Sequence, residues 1–305
     1  MGNIIVAGSI NMDIVTKVEQ LPRRGETVFG KEVHYIPGGK GSNQAVAASR
    51  LRENVYLVGK LGNDLFGQSL KDFLSDEQLK LDFLFRSDTL PTGVALITVD
   101  NQSENSIVVI SGSNYHLSEH DVDQVKITKN DFIVSVFEIP QTTVKHLFQR
   151  AHHANAKTIL NPAPAVPFID GLLDIVDYLI VNETELAFFS NQDQVSEDLD
   201  LLVQYAKQFR HHSNQTIIVT LGTEGVLCLS GDQVIRIEGI PVEAIDTTGA
   251  GDCFTGAFAA GISEGAALED ALNFANTAAS ISVQHLGAST SMPSRAAVEK
   301  ALNRT

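Results

Sequence analysis

From about residue 130 the sequence alternates between short apolar runs and longer helix-prone segments. The runs that predict strands lie at 132–137, 157–160, 178–181, 216–220 and 226–230. The segments that predict helices lie at 141–154, 168–175, 196–211 and 265–285. Strands that alternate with helices usually form a mostly parallel sheet, because each helix carries the chain back across one face of the sheet. This pattern predicts an α/β fold with helices on both faces.

The first part of the chain predicts a second, smaller sheet. Residues 3–8 and 54–61 predict strands, and 42–51 and 66–74 predict helices, so these segments fit the α/β pattern. Two other regions, 14–37 and 93–110, alternate more strongly and predict exposed antiparallel strands, the second with a polar turn at 100–105. Neither repeat nor linker is evident. We expect one domain over residues 1–305, with strands from about 14–37 and 93–110 inserted as a small β appendage.

Charge and composition exclude several classes of protein. The formal net charge is −15, whereas nucleic-acid binding needs clustered Lys and Arg. No apolar run approaches the length of a transmembrane helix, and the first residues lack the basic region of a signal peptide. Cys228 and Cys253 are far apart, which argues against a disulfide framework or a zinc site. We therefore expect a cytoplasmic protein that binds neither nucleic acid nor membrane. Because the protein is itself anionic, it would repel an anionic substrate unless the electrostatic potential at the binding site is locally positive.

Two glycine-containing segments resemble nucleotide-binding motifs only weakly. Residues 62–69 approach a P-loop, but Gln68 stands where the phosphate-binding lysine is required, so a turn before a helix is the better interpretation. No Gly-x-Gly-x-x-Gly follows the first strand. A dinucleotide-dependent oxidoreductase therefore lacks its fingerprint.

The strongest chemical signal is Asp246-Thr-Thr-Gly-Ala-Gly-Asp252, directly before a long helix-prone stretch. Backbone N–H groups of 248–251 can converge there on an anion, with the helix dipole behind them. An acid in the first helical turn is common, but this does not explain two acids around a glycine loop. Asp252 can accept a proton from a substrate hydroxyl. Amides at a helix N-terminus lower the pKa of a nearby carboxylate and so make it a weaker base. Phosphoryl transfer tolerates this, because its loose transition state needs a well-placed proton acceptor more than a strong one.

A second group of residues suits a polyol. The segment 38–45 reads Gly-Gly-Lys-Gly-Ser-Asn-Gln-Ala, and its plain interpretation is a strand-to-helix turn with Ser42 as N-cap. Glycines also let the backbone approach a ligand, and Asn43 offers a donor and an acceptor for vicinal hydroxyls. Asn11 and Asp13 follow the first strand, where α/β folds place ligand-binding residues.

Six segments, in order, resemble the signatures of the pfkB carbohydrate kinase family, and the similarity covers nearly the whole chain. They are Gly-Ser-Ile-Asn-Met-Asp (8–13), Gly-Gly-Lys-Gly-Ser-Asn-Gln-Ala (38–45), Asn-Pro-Ala-Pro-Ala (161–165), Asn-Glu-Thr-Glu (182–185), Thr-Leu-Gly-Thr-Glu-Gly (220–225) and Asp-Thr-Thr-Gly-Ala-Gly-Asp (246–252). The resemblance implies a three-layer α/β fold, with a central, mostly parallel sheet flanked by helices and a small β-sheet lid over the sugar. It also implies a homodimer in which the lids of two subunits pack together.

The segment 38–45 resembles family members that act on ribose more closely than those that act on fructose or adenosine. The implied activity is ATP-dependent phosphorylation of D-ribose at its 5-hydroxyl, giving ribose 5-phosphate. Asp252 would be the catalytic base, with an anion hole at the amides of Gly249, Ala250 and Gly251. The residues implied to hold the sugar are Asn11, Asp13, Gly39, Lys40, Gly41, Asn43, Glu138 and Asp252. Those implied to bind ATP are Asn182, Thr220, Leu221, Gly222, Thr223, Glu224, Gly225, Gly251 and Asn276.

The resemblance also implies two cations. Glu185 would help to organise Mg²⁺ through water, in keeping with the tendency of that ion to retain its hydration. A monovalent cation, usually K⁺, would bind, mostly through backbone carbonyls, at Asp246, Thr248, Ser282, His285, Gly287 and Ser291. We expect the side chain of His285 to be a bystander. Cys253, beside the base, is expected to be a small core residue rather than a reactive thiol.

Two alternatives stay open at the level of sequence. A kinase of this family could act on another sugar or on a nucleoside, with deoxyribose as an example. From a different class, the chain could be a non-catalytic sugar-sensing module on the same scaffold, since a fold does not fix a function. Asp252, Lys40 and the glycine loop are all intact, and a degenerate sensor would be expected to have lost some of them.

Overall fold

The computed structural model describes residues 2–102, 104–192, 195–196 and 198–303. Its strands are β1 (Ile4–Ala7), β2 (Asn11–Lys17), β3 (Glu32–Gly38), β4 (Val55–Gly62), β5 (Lys80–Ser87), β6 (Gly93–Val99), β7 (Asn105–Ile110), β8 (Phe132–Val136), β9 (Lys157–Asn161), β10 (Tyr178–Asn182), β11 (Thr216–Thr220), β12 (Gly225–Ser230) and β13 (Gln233–Glu238). Its α-helices are α1 (Lys40–Leu51), α2 (Leu65–Asp76), α3 (Glu119–Asp123), α4 (Gln141–His153), α5 (Glu183–Phe189), α6 (Leu199–Gln208), α7 (Ala250–Ser263), α8 (Leu268–Ser282) and α9 (Arg295–Leu302).

The larger sheet runs through the middle of the molecule in the order β13-β12-β11-β10-β9-β8-β1-β4-β5. All neighbours from β11 to β5 pair in parallel, whereas β12 and β13 are antiparallel at one edge. The predicted mostly parallel sheet is confirmed. Because parallel strands share one carboxyl edge, the segments that follow β8, β9, β10 and β11 all meet at the same side of the sheet.

Helices cover both faces of this sheet and produce three layers. In β1, Ile4 and Val6 contact one core, and Ile5 and Ala7 contact the other, since successive side chains of a strand point to opposite faces. The first core is completed by α1, α7 and α8, and the second by α4 and α6. Helices α1 and α7 pack closely at Gly256, where a Cβ would lie 2.5 Å from the carbonyl oxygen of Gln44. This contact brings the two helices that carry Lys40 and Asp252 together.

The smaller sheet, which we call the lid, has the strand order β3-β2-β6-β7. The predicted antiparallel pairs β2/β3 and β6/β7 are confirmed, and β2 and β6 join them by a parallel pairing. The turn of the second hairpin includes Ser103, which lies outside the described residues. Because β2 begins soon after β1 ends, the lid strand starts at the carboxyl edge of the larger sheet, with Asn11 and Asp13 near its beginning.

The predicted helix at 168–175 is wrong. Only Leu173–Ile175 forms a short 3₁₀ turn, and Gly171 interrupts the segment with a φ of 70°. Buried apolar residues such as Leu172 and Val176 imitate helical spacing, but the side chain of Gln215 satisfies the carbonyls of Leu173 and Val176. The segment is therefore a packed loop.

Other predicted bounds need smaller changes. The helix expected at 196–211 spans Leu199–Gln208, and residue 197 of the predicted range lies outside the described part. Strands β5 and β13 and helices α3, α5 and α9 had not been predicted. Within the described ranges, no helix is long and apolar enough to cross a membrane.

Candidate active site

A cleft of about 160 Å³ lies where the carboxyl ends of β9, β10 and β11 face the N-terminus of α7. It brings together several of the residues expected from the sequence to bind sugar, ATP or phosphate. The lining residues are Lys40, Asn161, Ala163, Ile180, Val181, Asn182, Glu185, Thr220, Thr247, Gly249, Ala250, Gly251 and Asp252. The position agrees with the general rule that ligands of parallel α/β sheets bind at the carboxyl edge.

The N-terminus of α7 opens onto this cleft. Gly249 is its N-cap, in the left-handed region at a φ of 77°, and a Cβ there would lie 3.1 Å from the Cα of Ala288. The left-handed φ favours glycine at this position, and the close contact with Ala288 adds to the preference. Gly251 follows in the first turn, and a Cβ at Gly251 would meet nothing within 4 Å. The helix dipole and the amides of its first turn make this end of the cleft suited to an anion.

Asp252 lies in the first turn of α7 and is buried. Both of its carboxylate oxygens accept a hydrogen bond from a side-chain amide of α1. Asn43 Nδ2 donates to Oδ2 over 2.9 Å, and Gln44 Nε2 donates to Oδ1 over 3.0 Å. Asn43 also accepts, through Oδ1, a hydrogen bond from Ser289. The oxygen and one N–H of the Asn43 amide are thus used inside the protein.

Lys40 is the cation of this site. The charge of Asp252 raises the pKa of Lys40 most, burial opposes the rise, and Glu138, Glu185 and Asp13 add to it. Lys40 therefore carries its positive charge among four carboxyl groups. Burial raises the pKa of Asp13 to about 7, and the charges of Glu138 and Asp252 add to the rise while Lys40 opposes it.

Among the residues expected to hold the sugar, Glu138, together with Ser9, fixes the backbone of the glycine segment. Ser9 Oγ donates to Glu138 Oε2 over 2.5 Å, the N–H of Lys40 donates to the same oxygen over 3.1 Å, and the N–H of Gly41 donates to Ser9 Oγ over 3.3 Å. Helix α1 begins at Lys40 with Gly39 as its N-cap, at a φ of 92°. The interpretation of Ser42 as N-cap is wrong, because its hydroxyl donates to the carbonyl of Gly38.

Asn11 is held by a residue from another part of the chain. Asn114 Nδ2 donates to Asn11 Oδ1 over 2.7 Å, and Asn114 Oδ1 accepts from the N–H of Ile10 over 2.9 Å. Asn114 is itself buried. These contacts occupy the acceptor of Asn11 and orient its amide nitrogen.

The residues expected to bind ATP are divided between two cavities. Thr220, Asn182 and Gly251 line the cleft described above, whereas Leu221, Gly222, Thr223 and Glu224 line a neighbouring cavity of about 570 Å³. Gly225 begins β12 next to this cavity, at a φ of 96°. Asn276, on α8, donates to the carbonyl of Glu238 over 3.0 Å.

Asn182 and Glu185 form a capping box at the start of α5. Asn182 Oδ1 accepts from the N–H of Glu185 over 2.8 Å, and Glu185 Oε2 accepts from the N–H of Asn182 over 2.9 Å. Burial raises the pKa of Glu185, and the hydrogen bond from Asn182 and the charge of Lys40 oppose the rise. Only one oxygen of Glu185 is used by the cap, so its carboxylate fits an indirect role in holding a hydrated Mg²⁺.

Two of the residues expected at a K⁺ site, Thr248 and Gly287, contact a third, Asp246. Its Oδ1 accepts from the N–H of Thr248 and its Oδ2 from the N–H of Gly287, each over 2.9 Å. Burial raises the pKa of Asp246, but these hydrogen bonds outweigh it and lower the pKa. Of the other residues expected at this site, Ser282 and Ser291 are buried and His285 is exposed. The segments offer backbone and carboxylate oxygens, which suit K⁺, and the described residues contain no cluster of three His, Cys, Asp or Glu able to hold a metal.

Several residues of this site were not assigned a role from the sequence: Ser9, Gln44, Asn114, Asn161 and Ser289. Three of them lie in segments that carry the family signatures, and each is a polar residue next to buried apolar ones. That pattern could have identified Ser9, Gln44 and Asn161. Nothing in the local sequence marks Asn114 or Ser289, whose partners are distant in the chain.

Cys253 is fully buried next to Asp252, and burial raises the pKa of its thiol to about 12. A thiol in this environment is not a nucleophile near neutral pH.

Comparison with known proteins agrees with the sequence signatures. Residues 1–295 match the family described as pfkB family carbohydrate kinase. The chain is 38% identical to a ribokinase of Bacillus subtilis strain 168 over 307 residues, which cover 99% of this chain and 100% of the relative. It is 37% identical to a ribokinase of Haemophilus influenzae, over 96% of this chain and 95% of the relative. Among solved structures, Arabidopsis thaliana ribokinase complexed with ribose and ATP superposes with a TM-score of 0.90 at 34% identity, over 99% of both chains.

The family match spans nearly the whole chain, and these relatives match over almost their full length at more than a third identity. The predicted fold and the predicted resemblance are therefore confirmed. This chain belongs to the pfkB family of carbohydrate kinases.

Proposed function

We propose that the chain catalyses ATP-dependent phosphorylation of D-ribose at the 5-hydroxyl, giving ribose 5-phosphate. The observation that carries this proposal is the placement of Asp252. Its carboxylate is held by two amides, faces Lys40, and lies in the first turn of a helix whose N-terminus opens onto the cleft. The similarity to a ribokinase complexed with ribose and ATP supports ribose as the sugar and ATP as the donor.

The sugar is held by residues of the lid and of the glycine segment. These are Asn11, Asp13, Gly39, Lys40, Gly41, Asn43 and Glu138. Because Asn114 occupies the oxygen of Asn11, the Asn11 amide nitrogen is the group that donates to a sugar hydroxyl. Glu138 keeps one carboxylate oxygen on Ser9 and Lys40, so its other oxygen can accept from a hydroxyl. The polyol is neutral, and its approach needs no basic surface.

Asp252 accepts the proton of the 5-hydroxyl as that oxygen attacks the γ-phosphorus of ATP, whose bond to the bridging oxygen of ADP breaks. The charge that develops on the transferred group lies against the amides of Gly249, Ala250 and Gly251 and the dipole of α7. Gln44 and Asn43 hold the carboxylate in place while this occurs. In the proposed reaction the protein thus holds the Asp252 carboxylate in place and supplies the fixed dipoles of the α7 N-terminus.

ATP is proposed to lie along Asn182, Thr220–Gly225, Gly251 and Asn276. We assign Glu185 to a hydrated Mg²⁺, which when bound supplies positive charge to the phosphate oxygens. We assign the K⁺ site to Asp246, Thr248, Ser282, Gly287 and Ser291, with the exposed side chain of His285 outside it. Asp246 ties the loop before α7 to Gly287, so a cation there would stabilise the loop that forms the anion site.

We also propose that residues 1–305 form a single kinase domain and that the lids of two copies pack together in a homodimer. The lid shares β2 and the preceding turn with the sugar site. Its outer strand β7 is exposed along its length.

A coupled assay of ADP release tests the proposed reaction. The purified chain is given ATP and Mg²⁺ with ribose, deoxyribose or fructose, with K⁺ and again with a large organic cation in its place. We expect ribose to give the highest kcat/KM and K⁺ to increase the rate. A site built to hydrogen-bond the 2-hydroxyl rejects the analogue that lacks it, so a clear preference for deoxyribose would replace ribose as the substrate.

The role of Asp252 is tested by Asp252→Ala. We expect kcat to fall by ~10²–10⁴, the range for loss of a positioned general base. Asp232→Ala, at an exposed turn beside β13, is the control and should keep the parental rate. Unchanged turnover in Asp252→Ala would remove Asp252 from the mechanism, and no ADP release with any sugar in the parent would favour the sensing module.

A further inference from the structure

Gln44 lies at the centre of a buried chain of hydrogen bonds that ends on Asp252. Asn161 Nδ2 donates to the carbonyl of Ile180 over 3.0 Å. Asn161 Oδ1 accepts from Gln44 Nε2 over 3.1 Å, and the same nitrogen donates to Asp252 Oδ1 over 3.0 Å. Gln44 is 0% exposed, so it lies behind Asp252 and is closed to ligands in the cleft.

This chain fixes which end of each amide faces the next group. The carbonyl of Ile180 can only accept, so it takes the amide nitrogen of Asn161 and turns the Asn161 oxygen towards Gln44. Gln44 then faces two acceptors, Asn161 Oδ1 and Asp252 Oδ1, and must present its nitrogen to both. A flipped Gln44 would place its oxygen against both of them.

The other end of Gln44 shows what this orientation costs. Gln44 Oε1 is buried and, within the described residues, has no hydrogen-bond partner. A buried acceptor without a partner destabilises a fold, and an apolar side chain of similar size would avoid the penalty. In this arrangement the oxygen of Gln44 makes no hydrogen bond within the described residues, whereas its nitrogen donates to Asp252.

We propose that Gln44 is a positioning residue for Asp252, and that Asn161 locks the Gln44 amide so that it can only donate to the carboxylate. The inference rests on the proposed function, in which Asp252 takes the proton of the sugar hydroxyl. A donor that cannot become an acceptor fixes the position of this carboxylate oxygen and so holds Asp252 in one rotamer. Asn43, anchored by Ser289, does the same for the second oxygen.

The first test is Gln44→Met, which keeps the length of the side chain and removes the donor. We expect kcat to fall by about tenfold or more, because small misplacements of a catalytic group are costly. The KM values for ribose and ATP should change by less than about twofold, since Gln44 touches neither substrate and a loss confined to kcat marks a transition-state effect. Ser49→Ala is the matched control, because Ser49 is buried on the same helix and its hydroxyl donates only to the carbonyl of Val46.

A parental kcat in Gln44→Met would overturn the inference. So would a fall in kcat that is matched by raised KM values and by an equal fall in Ser49→Ala, because that pattern indicates general loosening of α1. The double variant Gln44→Met/Asn161→Leu tests whether Asn161 orients the Gln44 amide. If Asn161 acts on Asp252 only through the Gln44 amide, the double variant loses no more than the worse single variant, and additive losses would contradict the inference.

Gln44→Glu keeps the shape of the side chain and is the alternative test if Gln44→Met does not fold. Its protonated form still donates to Asp252, whereas its ionised form repels the carboxylate, so we expect its kcat to decline with rising pH where the parental kcat does not. Lys40, Asp13 and Glu185 face Asp252 in both proteins and are common to the two profiles. Parallel profiles would overturn the inference.

A structural measurement separates this inference from the proposed function. If the parent releases no ADP with any sugar, the proposed function fails, and crystal structures of the parent and of Gln44→Met still test the positioning. We expect the Asp252 carboxylate to leave its parental rotamer in Gln44→Met but to keep it in Ser49→Ala. An unchanged rotamer would overturn the inference.

Discussion

Asp13 lies on the lid strand β2 with Glu138, Asp252 and Lys40 as its charged neighbours. Its side chain packs closely on the backbone of Gly38, where a Cβ would lie 2.2 Å from Asp13 Oδ2. Burial and the two negative charges raise the pKa of Asp13 from its ordinary value of 3.8 to about 7. The proton on Asp13 therefore links the proposed sugar site to the stability of the chain near neutral pH.

The first prediction concerns Asp13→Asn. Between pH 3.8 and about pH 7 the unfolded chain has lost the Asp13 proton and the folded chain has kept it. The contribution of this group to stability is therefore complete below pH 3.8 and is lost as pH rises, by about 1.4 kcal/mol per pH unit. We expect Asp13→Asn to remove this loss. Urea unfolding of both proteins at pH 5, 6, 7 and 8 measures it, and parallel stability curves would contradict the prediction.

The candidate site could be predicted in part at the scale of single residues. The glycine loop, Lys40 and Asp252 were predicted because their chemistry is encoded in adjacent residues, and the structure brings them to one cleft. The partners that orient them could not be predicted. Gln44 and Asp252 are 208 residues apart, and Asn114 and Asn11 are 103 apart, so only the folded chain places them together. Sequence signals are strong for local geometry and weak for long-range hydrogen bonds.

At the scale of elements, the inner strands of the larger sheet were predicted well because they are almost entirely buried and rich in β-branched residues. Edge strands were missed: β5 and β13 each have one neighbour and contain several charged or polar residues. The segment 168–175 was predicted wrongly because buried apolar residues in a loop repeated at helical spacing. The spacing of these apolar residues reflects which of them are buried in the loop, and not a helix.

The second prediction compares Gly249→Ala with Gly251→Ala at the N-terminus of α7. Gly249 has a φ of 77° and lies against Ala288, whereas Gly251 has ordinary helical geometry and open space. Gly249→Ala should therefore destabilise the chain by roughly 1–2 kcal/mol, the cost of a left-handed conformation for an L-residue. Gly251→Ala should be neutral or should stabilise by up to ~1 kcal/mol, because alanine favours a helix.

Urea unfolding measures both variants, and ADP release shows the effect on the anion site. We expect Gly249→Ala to lower kcat together with stability, since the N-cap sets the direction of the first-turn amides. Equal stability of the two variants would show that the conformation of Gly249 is not required.

At the scale of the whole molecule, a net charge of −15 must be reconciled with an anionic co-substrate. The positive potential of the cleft comes from the N-terminus of α7, from Lys40 and, in our proposal, from Mg²⁺ and K⁺. The ribokinase-like three-layer α/β fold provides the positive potential at the N-terminus of α7 through its backbone amides. Replacing K⁺ and lowering Mg²⁺ should therefore weaken ATP binding more than sugar binding, which titration of KM for each substrate measures.

The last prediction concerns the lid. Among the residues that the structure describes, strand β7 pairs only with β6, and Ile107 and Val109 on it are 52% and 51% exposed. The strand register places these two residues on the same face of the lid as Asp13. An apolar edge strand of this kind is usually covered by a partner, which supports the proposed homodimer. Ile107→Lys/Val109→Lys should therefore be monomeric at concentrations where the parent is a dimer.

Sedimentation or light scattering measures the mass, and Val234→Lys, on the edge strand β13, is the control for an added charge at an exposed valine. Since β2 carries Asn11 and Asp13 and pairs along its whole length with β6, loss of the partner should also loosen the sugar site. We expect a higher KM for ribose and an unchanged KM for ATP in the double variant. A monomeric parent, or a double variant that stays dimeric, would mean that the exposed face of β7 is not the contact between subunits.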